Sequence, residues 1–427
     1  MKQNAYTILK ERGFIYQCTD EAATKEMLGS RSITCYVGFD PTADSLQVGN
    51  LVPIMALAHL QRCGHRPIVI VGGGTALVGD PSGKTEMRQM LSREQINQNA
   101  ERQKQQFSRY LSFEEGRALM LNNADWLVDL NYIEFLRDIG RHFSVNRMLA
   151  AESYKIRLET GLSFLEFNYM LLQAYDFYIL ARDYDCELQM GGQDQWGNIV
   201  AGADLCRRVL NKEVQGMTFP LIMSASGEKF GKSVAGAIWL DANKTSPFDY
   251  YQFWRNVEDA DVERFLNLFT FLPVEEVRRL GKLQPPLLNR AKEILAYEAT
   301  KLTHGKEEAA RVYKAAVSQF GAADPQGEVE TSSDITEISP EPKEEELPTI
   351  KLPVQLLEEG SWVVRLFVES GLCSSNSEAR RLIAQGGAYL NGAQITEIEK
   401  VVTRADLKDK ALLLRAGKKR YKRVVFS

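Results

Sequence analysis

Between about residues 30 and 220, the chain alternates short apolar runs with longer segments of helical periodicity. This alternation is typical of an α/β fold, in which strands joined by helices form a parallel sheet. The clearest predicted strands read ITCYVGF (33–39), RPIVIVGGG (66–74) and CELQMGG (186–192). We therefore predict a parallel-sheet domain that occupies residues 1–222.

Three further blocks follow this domain. Val262, Phe265 and Phe269 keep the spacing of one buried helix face, and a helical domain is predicted for residues 223–321. Residues 322–349 hold nine Asp or Glu and one Lys, which predicts a solvated acidic linker, taken as 322–352. The last predicted domain, 353–427, is basic: from residue 351 onward there are 14 Lys or Arg against 8 Asp or Glu.

The composition limits which classes of function this chain can have. The formal net charge is −4, so a nucleic-acid partner would need a local basic patch. The six cysteines form no CxxC pair, which favours reduced thiols and a cytoplasmic protein. No apolar run reaches the roughly 18 residues of a membrane span, and the N-terminus lacks the apolar core of a signal peptide. With only four histidines, no protein-bound metal is expected.

Two glycine-rich stretches resemble a P-loop but miss its spacing. GDPSGKT (79–85) and GEKFGKS (227–233) have Val78 and Ser226 where the motif GxxxxGK[ST] requires glycine. The second stretch instead offers Lys229 and Lys232, two ammonium groups that suit a polyphosphate whose charge is stabilised as it reacts. A solvated surface loop is the alternative interpretation.

The stretch SLQVGNLVP (45–53) joins the first predicted strand to an amphipathic helix. A helix N-terminus attracts anions through its free N–H groups and its dipole. Together with the two lysines, this junction favours a polyphosphate site over a plain surface loop.

A predicted buried helix, FLEFNYMLLQAYDFYILARDY, carries a polar stripe. Tyr169, Gln173 and Asp176 share one face, which is either a solvent face or the wall of a pocket. The pocket is favoured because Tyr36, Asp80 and the sequence MGGQDQWGN (190–198) also lie in or just after strands or glycine-rich loops. Ligands bind at such strand ends in parallel sheets.

The chain resembles the tyrosyl-tRNA synthetases of bacterial or organellar type, which are class I enzymes, over nearly its whole length. The matching stretches, in the family's order, are YVGFDPTADSL, GDPSGKT, LRDIGRHFSVNRML, LLQAYDF, GGQDQWGNI, KFGKS and KTSPFDYYQFW. The resemblance implies a Rossmann-like catalytic domain, ATP with Mg²⁺, L-tyrosine and tRNA(Tyr) as substrates, and a homodimer.

The same resemblance assigns residues to the amino-acid substrate. It places the tyrosine phenol against Tyr36 and Asp176, and the reacting carboxylate near Gln195. The remaining tyrosine-binding residues, which meet the α-amino group or lie near it, are Asp80, Asn123, Tyr169 and Gln173. These assignments are chemically sensible, since carboxylates accept from a phenol and pair with an ammonium group.

For ATP, the resemblance implies a second set of residues. Asp194 falls where the family holds the ribose, and Asp40 and Gly49 belong to the same ATP site. The residues expected to handle the triphosphate are Thr42, Lys84, Arg88, Lys229 and Lys232.

The junction itself departs from the family, which has His-x-Gly-His where this chain has Gln47-Val48-Gly49-Asn50. Both Gln47 and Asn50 can donate a hydrogen bond to phosphate, but Gln47 cannot carry a charge. Replacing a charge-assisted bond by a neutral one would remove about 1–2 kcal/mol of transition-state stabilisation. A weakened enzyme is therefore expected, with a non-catalytic RNA-binding relative as the alternative.

The basic tail resembles an S4 RNA-binding module of small α+β type. A serine-capped helix carries Arg380 and Arg381, and YLNGAQ has the Asn-Gly signal of a tight hairpin. The sequence LLLRAGKKRYKRVVF predicts two strands joined by a basic turn at Lys418, Lys419 and Arg420. A solvated face is the alternative, and the S4 resemblance favours RNA binding.

Overall fold

The structure is a computed structural model that describes residues 4–82, 91–223, 230–233, 236–338, 349–358, 360–407, 411–417 and 420–426. It divides into two compact units, residues 1–309 and 310–427. Each unit is described separately below. None of the helices in these described ranges is long and apolar enough to cross a membrane.

Helices and strands follow one another along the first unit. They are α1 (Ala5–Glu11), β1 (Gln17–Cys18), α2 (Glu21–Ser30), β2 (Thr34–Phe39), α3 (Leu51–Arg62), β3 (Arg66–Val71), α4 (Arg93–Phe107), β4 (Leu119–Asn122), α5 (Ala124–Leu127), α6 (Tyr132–Asp138), α7 (Val145–Leu149), α8 (Glu152–Thr160), α9 (Phe164–Phe167), α10 (Tyr169–Asp183), β5 (Cys186–Gly192), α11 (Trp196–Leu210), β6 (Gln215–Phe219), β7 (Lys232–Ser233), β8 (Gly236–Ala237), α12 (Pro247–Arg255), α13 (Val262–Phe269), α14 (Val274–Gly281) and α15 (Leu288–His304).

The remaining elements run through the boundary between the units to the end of the chain. They are α16 (Lys306–Phe320), β9 (Thr349–Leu352), α17 (Gln355–Glu358), β10 (Ser361–Trp362), α18 (Val363–Glu369), α19 (Asn376–Ala384), β11 (Ala388–Leu390), β12 (Ala393–Gln394), β13 (Val401–Val402), β14 (Ala411–Ala416) and β15 (Arg420–Phe426).

The first unit is built on a six-stranded sheet with the order β1-β6-β5-β2-β3-β4. All its strand pairs are parallel except β1 with β6. The three strands predicted from sequence are β2, β3 and β5, so the predicted parallel α/β sheet is confirmed. Their apolar runs are buried because helices flank a parallel sheet. The carboxyl ends of β2, β3 and β5 are neighbours at one edge.

The long buried helix predicted from sequence is two helices, α9 and α10. The side chain of Asn168 donates to the Phe164 carbonyl oxygen at 2.6 Å, and α10 begins at Tyr169. The chain therefore restarts its helix at the first residue of the predicted polar stripe. Tyr169 and Asp176 are buried on α10.

The helical block after the sheet is confirmed, and α13 buries the predicted face. Val262, Phe265 and Phe269 are each no more than 2% exposed. Arg12, the residue after α1, ties the N-terminal end of the chain to α13. Its guanidinium donates to the carbonyl oxygens of Asn267 at 3.0 Å and of Thr270 at 3.1 Å. Because carbonyls at a helix C-terminus lack intrahelical partners, this buried arginine satisfies them.

The second unit contains a five-stranded sheet with the order β12-β11-β14-β15-β9. The hairpin of β11 and β12 turns at Asn391 and Gly392, whose φ angles are +49° and +83°, as an Asn-Gly turn requires. Ser375 caps α19 by accepting from the Glu378 backbone N–H. The hairpin, the capped helix and the strand pair β14–β15 all form as predicted.

The described part of the span predicted as an acidic linker, 322–352, contains one regular strand. Residues 349–352 form β9, which pairs in parallel with β15 at the edge of the second sheet. The strand forms because Ile350 and Leu352 pack against the buried apolar core of this unit. Residues 339–348 lie outside the described part of the chain.

Candidate active site

Three turns at the carboxyl ends of β2, β3 and β5 form the base of the site. Gly72 follows β3, and its backbone runs so close to Asp40 that a Cβ atom there would lie 2.1 Å from Asp40 Oδ1. Thr75 Oγ1 donates to the same carboxylate oxygen at 2.9 Å, and the Tyr169 hydroxyl donates to Asp40 Oδ2 at 3.2 Å. Glycine is required at position 72, since any side chain there would displace the Asp40 carboxylate.

Asp176, on α10, is the most deeply buried carboxylate of the site. Asn123 Nδ2 donates to one of its oxygens at 2.9 Å, and Trp126 Nε1 donates to the other at 2.7 Å. Burial raises the pKa of Asp176 to about 7, against the opposite effect of these two donors. Asn123 is itself fixed, because its Oδ1 accepts from the Gly74 N–H at 2.8 Å.

The Tyr36 hydroxyl is buried beside this carboxylate. Burial, followed by the negative charge of Asp176, raises the pKa of Tyr36 well above its ordinary value. Among the described residues, this hydroxyl has no hydrogen-bond partner. A buried polar atom without a partner carries a desolvation cost, which a ligand with a polar end would relieve. The pair therefore suits the hydroxyl of a bound ligand.

A second polar network contains Asp80. Gln195 Nε2 donates to Asp80 Oδ2 at 2.7 Å, and the Ser82 N–H donates to Asp80 Oδ1 at 2.9 Å. Burial and then the charge of Asp40 raise the pKa of Asp80 to about 6. A cation placed among these carboxylates would stabilise their ionised forms.

Asn198 joins this network to α10. Its Nδ2 donates to Gln173 Oε1 at 2.9 Å and to Gln195 Oε1 at 3.2 Å. Gln195 Nε2 also lies 3.3 Å from Asp194 Oδ2, at the turn that follows β5. The amides of Gln173 and Gln195 are thereby oriented by a residue on α11.

The junction after β2 is a 3₁₀ turn, Val48–Asn50, that leads into α3. Asn50 Oδ1 accepts from the Gln47 backbone N–H at 2.9 Å. The Val48 N–H donates to the Ile238 carbonyl oxygen at 3.0 Å, so the junction is also tied to the chain after β8. Because the oxygen of the Asn50 amide is used inside the turn, its NH₂ end is the one available to a ligand.

Gly231, within the stretch KFGKS, lies close to this junction. Gly231 has a φ of +88°, and a Cβ atom on it would lie 3.1 Å from the Gly49 backbone nitrogen. The two segments predicted to handle phosphate are therefore in backbone contact. Lys84, Arg88 and Lys229 lie outside the described residues, as does the side chain of Lys232.

The structure thus brings one group of predicted residues together at the sheet edge and leaves another group untested. The first group is Tyr36, Asp40, Asp80, Asn123, Tyr169, Gln173, Asp176, Asp194 and Gln195. Thr42 follows the same strand as Asp40 and is exposed. The roles of all these residues remain predictions.

Sequence reasoning missed three side chains that hold the site. They are Thr75, Trp126 and Asn198. Asn198 had a detectable signal, as the last residue of MGGQDQWGN. Trp126 had none, because its partner Asp176 is 50 residues away along the chain.

In the second unit, the predicted RNA-binding residues are only partly described. Arg380 on α19 lies over the Trp362 ring at 5.0 Å from its centroid, and Arg381 on the same helix is exposed. Lys418 and Lys419 lie outside the described residues, and only the backbone of Arg420 is described.

Comparison with known proteins assigns both units. The family described as tRNA synthetases class I (W and Y) matches residues 28–321, and the tyrosine–tRNA ligase SYY-like C-terminal domain matches residues 342–424. A tyrosine–tRNA ligase of Desulfatibacillum aliphaticivorans is 53% identical over 100% of both chains. One of Desulfosudis oleivorans is 55% identical over 98% of both.

A solved structure agrees. A C-terminally truncated mitochondrial tyrosyl-tRNA synthetase of Aspergillus nidulans superposes with a TM-score of 0.68 at 31% identity, covering 74% of this chain and 94% of that one. The resemblance drawn from sequence motifs is confirmed. The chain belongs to the tyrosyl-tRNA synthetases, in the class I family shared with the tryptophan enzymes.

Proposed function

We propose that this chain is a tyrosine–tRNA ligase that activates L-tyrosine with ATP, accompanied by Mg²⁺, and transfers it to tRNA(Tyr). Full-length relatives at 53–55% identity carry that function in their names. The observation that carries the proposal is the buried pair of Asp176 and the unpartnered Tyr36 hydroxyl. The six cysteines are all free thiols, in keeping with a cytoplasmic site of action.

The chemistry needs neither a general base nor a covalent nucleophile. The carboxylate of tyrosine attacks the α-phosphate of ATP, forming tyrosyl-adenylate and releasing pyrophosphate. The terminal ribose hydroxyl of the tRNA then takes the tyrosyl group and releases AMP. What the protein supplies is alignment and stabilisation of charge as it moves onto the leaving group.

The α-amino group of tyrosine is assigned to Asp80, Tyr169 and Gln173. Asp80 is largely ionised at neutral pH even with a pKa of about 6, and an ammonium ligand would keep it so. Asn198 orients Gln173 by donating to its Oε1, which fixes the position of this amide beside the proposed ammonium site.

The phenol end sets specificity. A tyrosine hydroxyl would donate to Asp176 and contact Tyr36. Phenylalanine would leave the Tyr36 hydroxyl without a partner and would bring no further donor to Asp176, which already accepts from Asn123 and Trp126. An unpaired buried polar group costs about 1–3 kcal/mol. Tyrosyl-tRNA synthetases are a recognised case in which phenylalanine is rejected without editing.

Asp176→Asn should weaken the use of tyrosine by about 10- to 100-fold in kcat/KM, because a charged acceptor becomes neutral. The KM for ATP should stay nearly constant. Steady-state pyrophosphate exchange at varied tyrosine and ATP measures both. Asp183→Asn, at the exposed end of the same helix, is the control and should behave as the parent. Unchanged tyrosine kinetics in Asp176→Asn would remove the assignment.

The phosphates are assigned to the N-terminus of α3 with Gln47 and Asn50, to Thr42, and to the cations Lys84, Arg88, Lys229 and Lys232. Asp40, Gly49 and Asp194 complete the ATP site. The contact between Gly231 and Gly49 supports this, since it joins the two phosphate segments. Gln47 supplies no charge, so the helix N-terminus and the cations bear more of the stabilisation.

Gln47→His should raise the rate of adenylate formation by about tenfold, since it restores a charge-assisted contact that forms as pyrophosphate leaves. Tyrosine affinity should not change. Gln47→Ala should slow the step, and Gln98→His on the exposed side of α4 is the control. Single-turnover kinetics at saturating ATP decides. If Gln47→Ala equals the parent, the side chain has no role; if the parent forms no adenylate, the non-catalytic alternative holds.

The second unit is assigned to tRNA binding through Arg380, Arg381, Lys418, Lys419 and Arg420. Its match to the C-terminal domain of tyrosine–tRNA ligases supports this. The basic residues are the means by which an acidic protein contacts a phosphate backbone.

A chain that ends at Gly321 should form tyrosyl-adenylate at the parent's rate but charge tRNA at least about tenfold more slowly, because phosphate contacts are lost. Adenylate formation is the internal control for a folded catalytic unit. Charging is measured at low and moderate salt. Equal charging by both chains at moderate salt contradicts an RNA role for the tail.

We also propose a homodimer. The exposed large apolar side chains of the described residues concentrate between 132 and 165. They are Tyr132, Ile133, Leu136, Val145, Leu158, Phe164 and Leu165. Such a concentration of exposed apolar residues favours burial by a second copy.

Light scattering should give twice the mass of one chain for the parent and a lower mass for Phe164→Asp, because a charge cannot be buried there without a partner. Phe164 is 70% exposed in the single chain. Phe320→Asp is the matched control, since Phe320 is 65% exposed and lies outside this range. A monomeric parent would contradict the dimer.

A further inference from the structure

The chain on both sides of residues 224–229 is held by described residues of the helical block. On the downstream side, Phe230 packs in an aromatic cluster, with its ring centroid 4.6 Å from that of Phe265 and 5.3 Å from that of Phe269. The Phe230 N–H donates to the Ile222 carbonyl oxygen at 3.2 Å. Ile222 and Phe230, which flank this segment, are therefore bonded to each other, and Phe230 also packs against α13.

On the upstream side, an arginine of α13 holds Met223. Arg264, on α13, donates a hydrogen bond from Nη2 to the carbonyl oxygen of Met223. The same Nη2 lies 2.6 Å from Asp261 Oδ1, and Asp261 is buried. The Arg264 guanidinium also lies 5.0 Å from the centroid of the Phe265 ring. Two contacts, to Asp261 and to the Phe265 ring, thus orient the arginine that holds Met223.

Met223 follows Ile222, whose carbonyl oxygen accepts from the Phe230 N–H at 3.2 Å. Gly231 comes next to Phe230, and a Cβ atom on it would lie 3.1 Å from the Gly49 nitrogen, so the chain there runs close to the phosphate junction. A displacement at Met223 would therefore shift the bond that holds Phe230, and with it the position of Gly231 beside Gly49. Misplacement of a catalytic group by about 1 Å can slow a reaction about 100-fold.

We propose that Arg264, oriented by Asp261, is a positioning residue for tyrosine activation. It touches neither tyrosine nor ATP. By holding the Met223 carbonyl, it sets where KFGKS lies against Gly49, and so where the cations meet the reacting phosphates. The inference rests on the proposed function, since it needs adenylate formation as the step that is positioned.

The test compares three full-length variants. Arg264→Leu removes the donor, and Arg264→Lys keeps a shorter one. Arg278→Leu is the matched control, because Arg278 also pairs with an acid three residues earlier, Glu275, at 2.5 Å and is similarly exposed. Single-turnover adenylate formation is measured at saturating ATP and tyrosine, and tyrosine affinity is measured by calorimetry without ATP.

Arg264→Leu should form adenylate about tenfold or more slowly than the parent, with tyrosine affinity changed less than about twofold. Arg264→Lys should recover part of the rate, and Arg278→Leu should match the parent. A parental rate in Arg264→Leu overturns the inference alone, as does a loss of tyrosine affinity as large as the loss of rate, which marks a general structural defect. A parent without adenylate formation overturns the proposed function, and the inference with it.

Discussion

The free-energy cost of burying the Asp176 carboxylate beside the carboxyl ends of the strands is the main constraint on this site. Asp176 is fully enclosed, and its desolvation is met only in part by the donors from Asn123 and Trp126. Those donors come from the chain after β4, while Asp176 comes from α10. This part of the site therefore forms only when strand ends and helices are assembled together. Under the proposed function, the same cost would favour a ligand that brings a hydroxyl over one that does not.

The segments predicted to bind phosphate are held in a different way. Its junction is held mainly by backbone: the Val48 N–H bonds to Ile238, and Gly231 approaches Gly49. Backbone N–H groups and a helix N-terminus persist when side chains change. The Val48 bond and the approach of Gly231 use no atom of the Gln47 or Asn50 side chains. Under the proposed function, specificity would thus depend on side chains, and phosphate binding more on the path of the chain.

The sequence predicted much of the fold, for identifiable reasons. The strands β2, β3 and β5 are apolar runs bounded by glycine or aspartate, a local signal that needs no tertiary knowledge. The stripe of Tyr169, Gln173 and Asp176 has the spacing of a helix face. The contacts that connect elements had no such signal. Trp126 reaches Asp176 across 50 residues, and β9 forms by pairing with β15 and by packing Ile350 and Leu352 against the core.

Arg12, which follows α1, has a consequence for the order in which contacts form during synthesis. Arg12 bonds to the carbonyl of Asn267, which is 255 residues further along the chain. A ribosome adding about 5–20 residues each second would need on the order of 10–50 s to supply that partner. Throughout this interval, Arg12 lacks the carbonyl oxygens to which it later donates. Arg12 therefore completes these bonds only after α13 has left the ribosome.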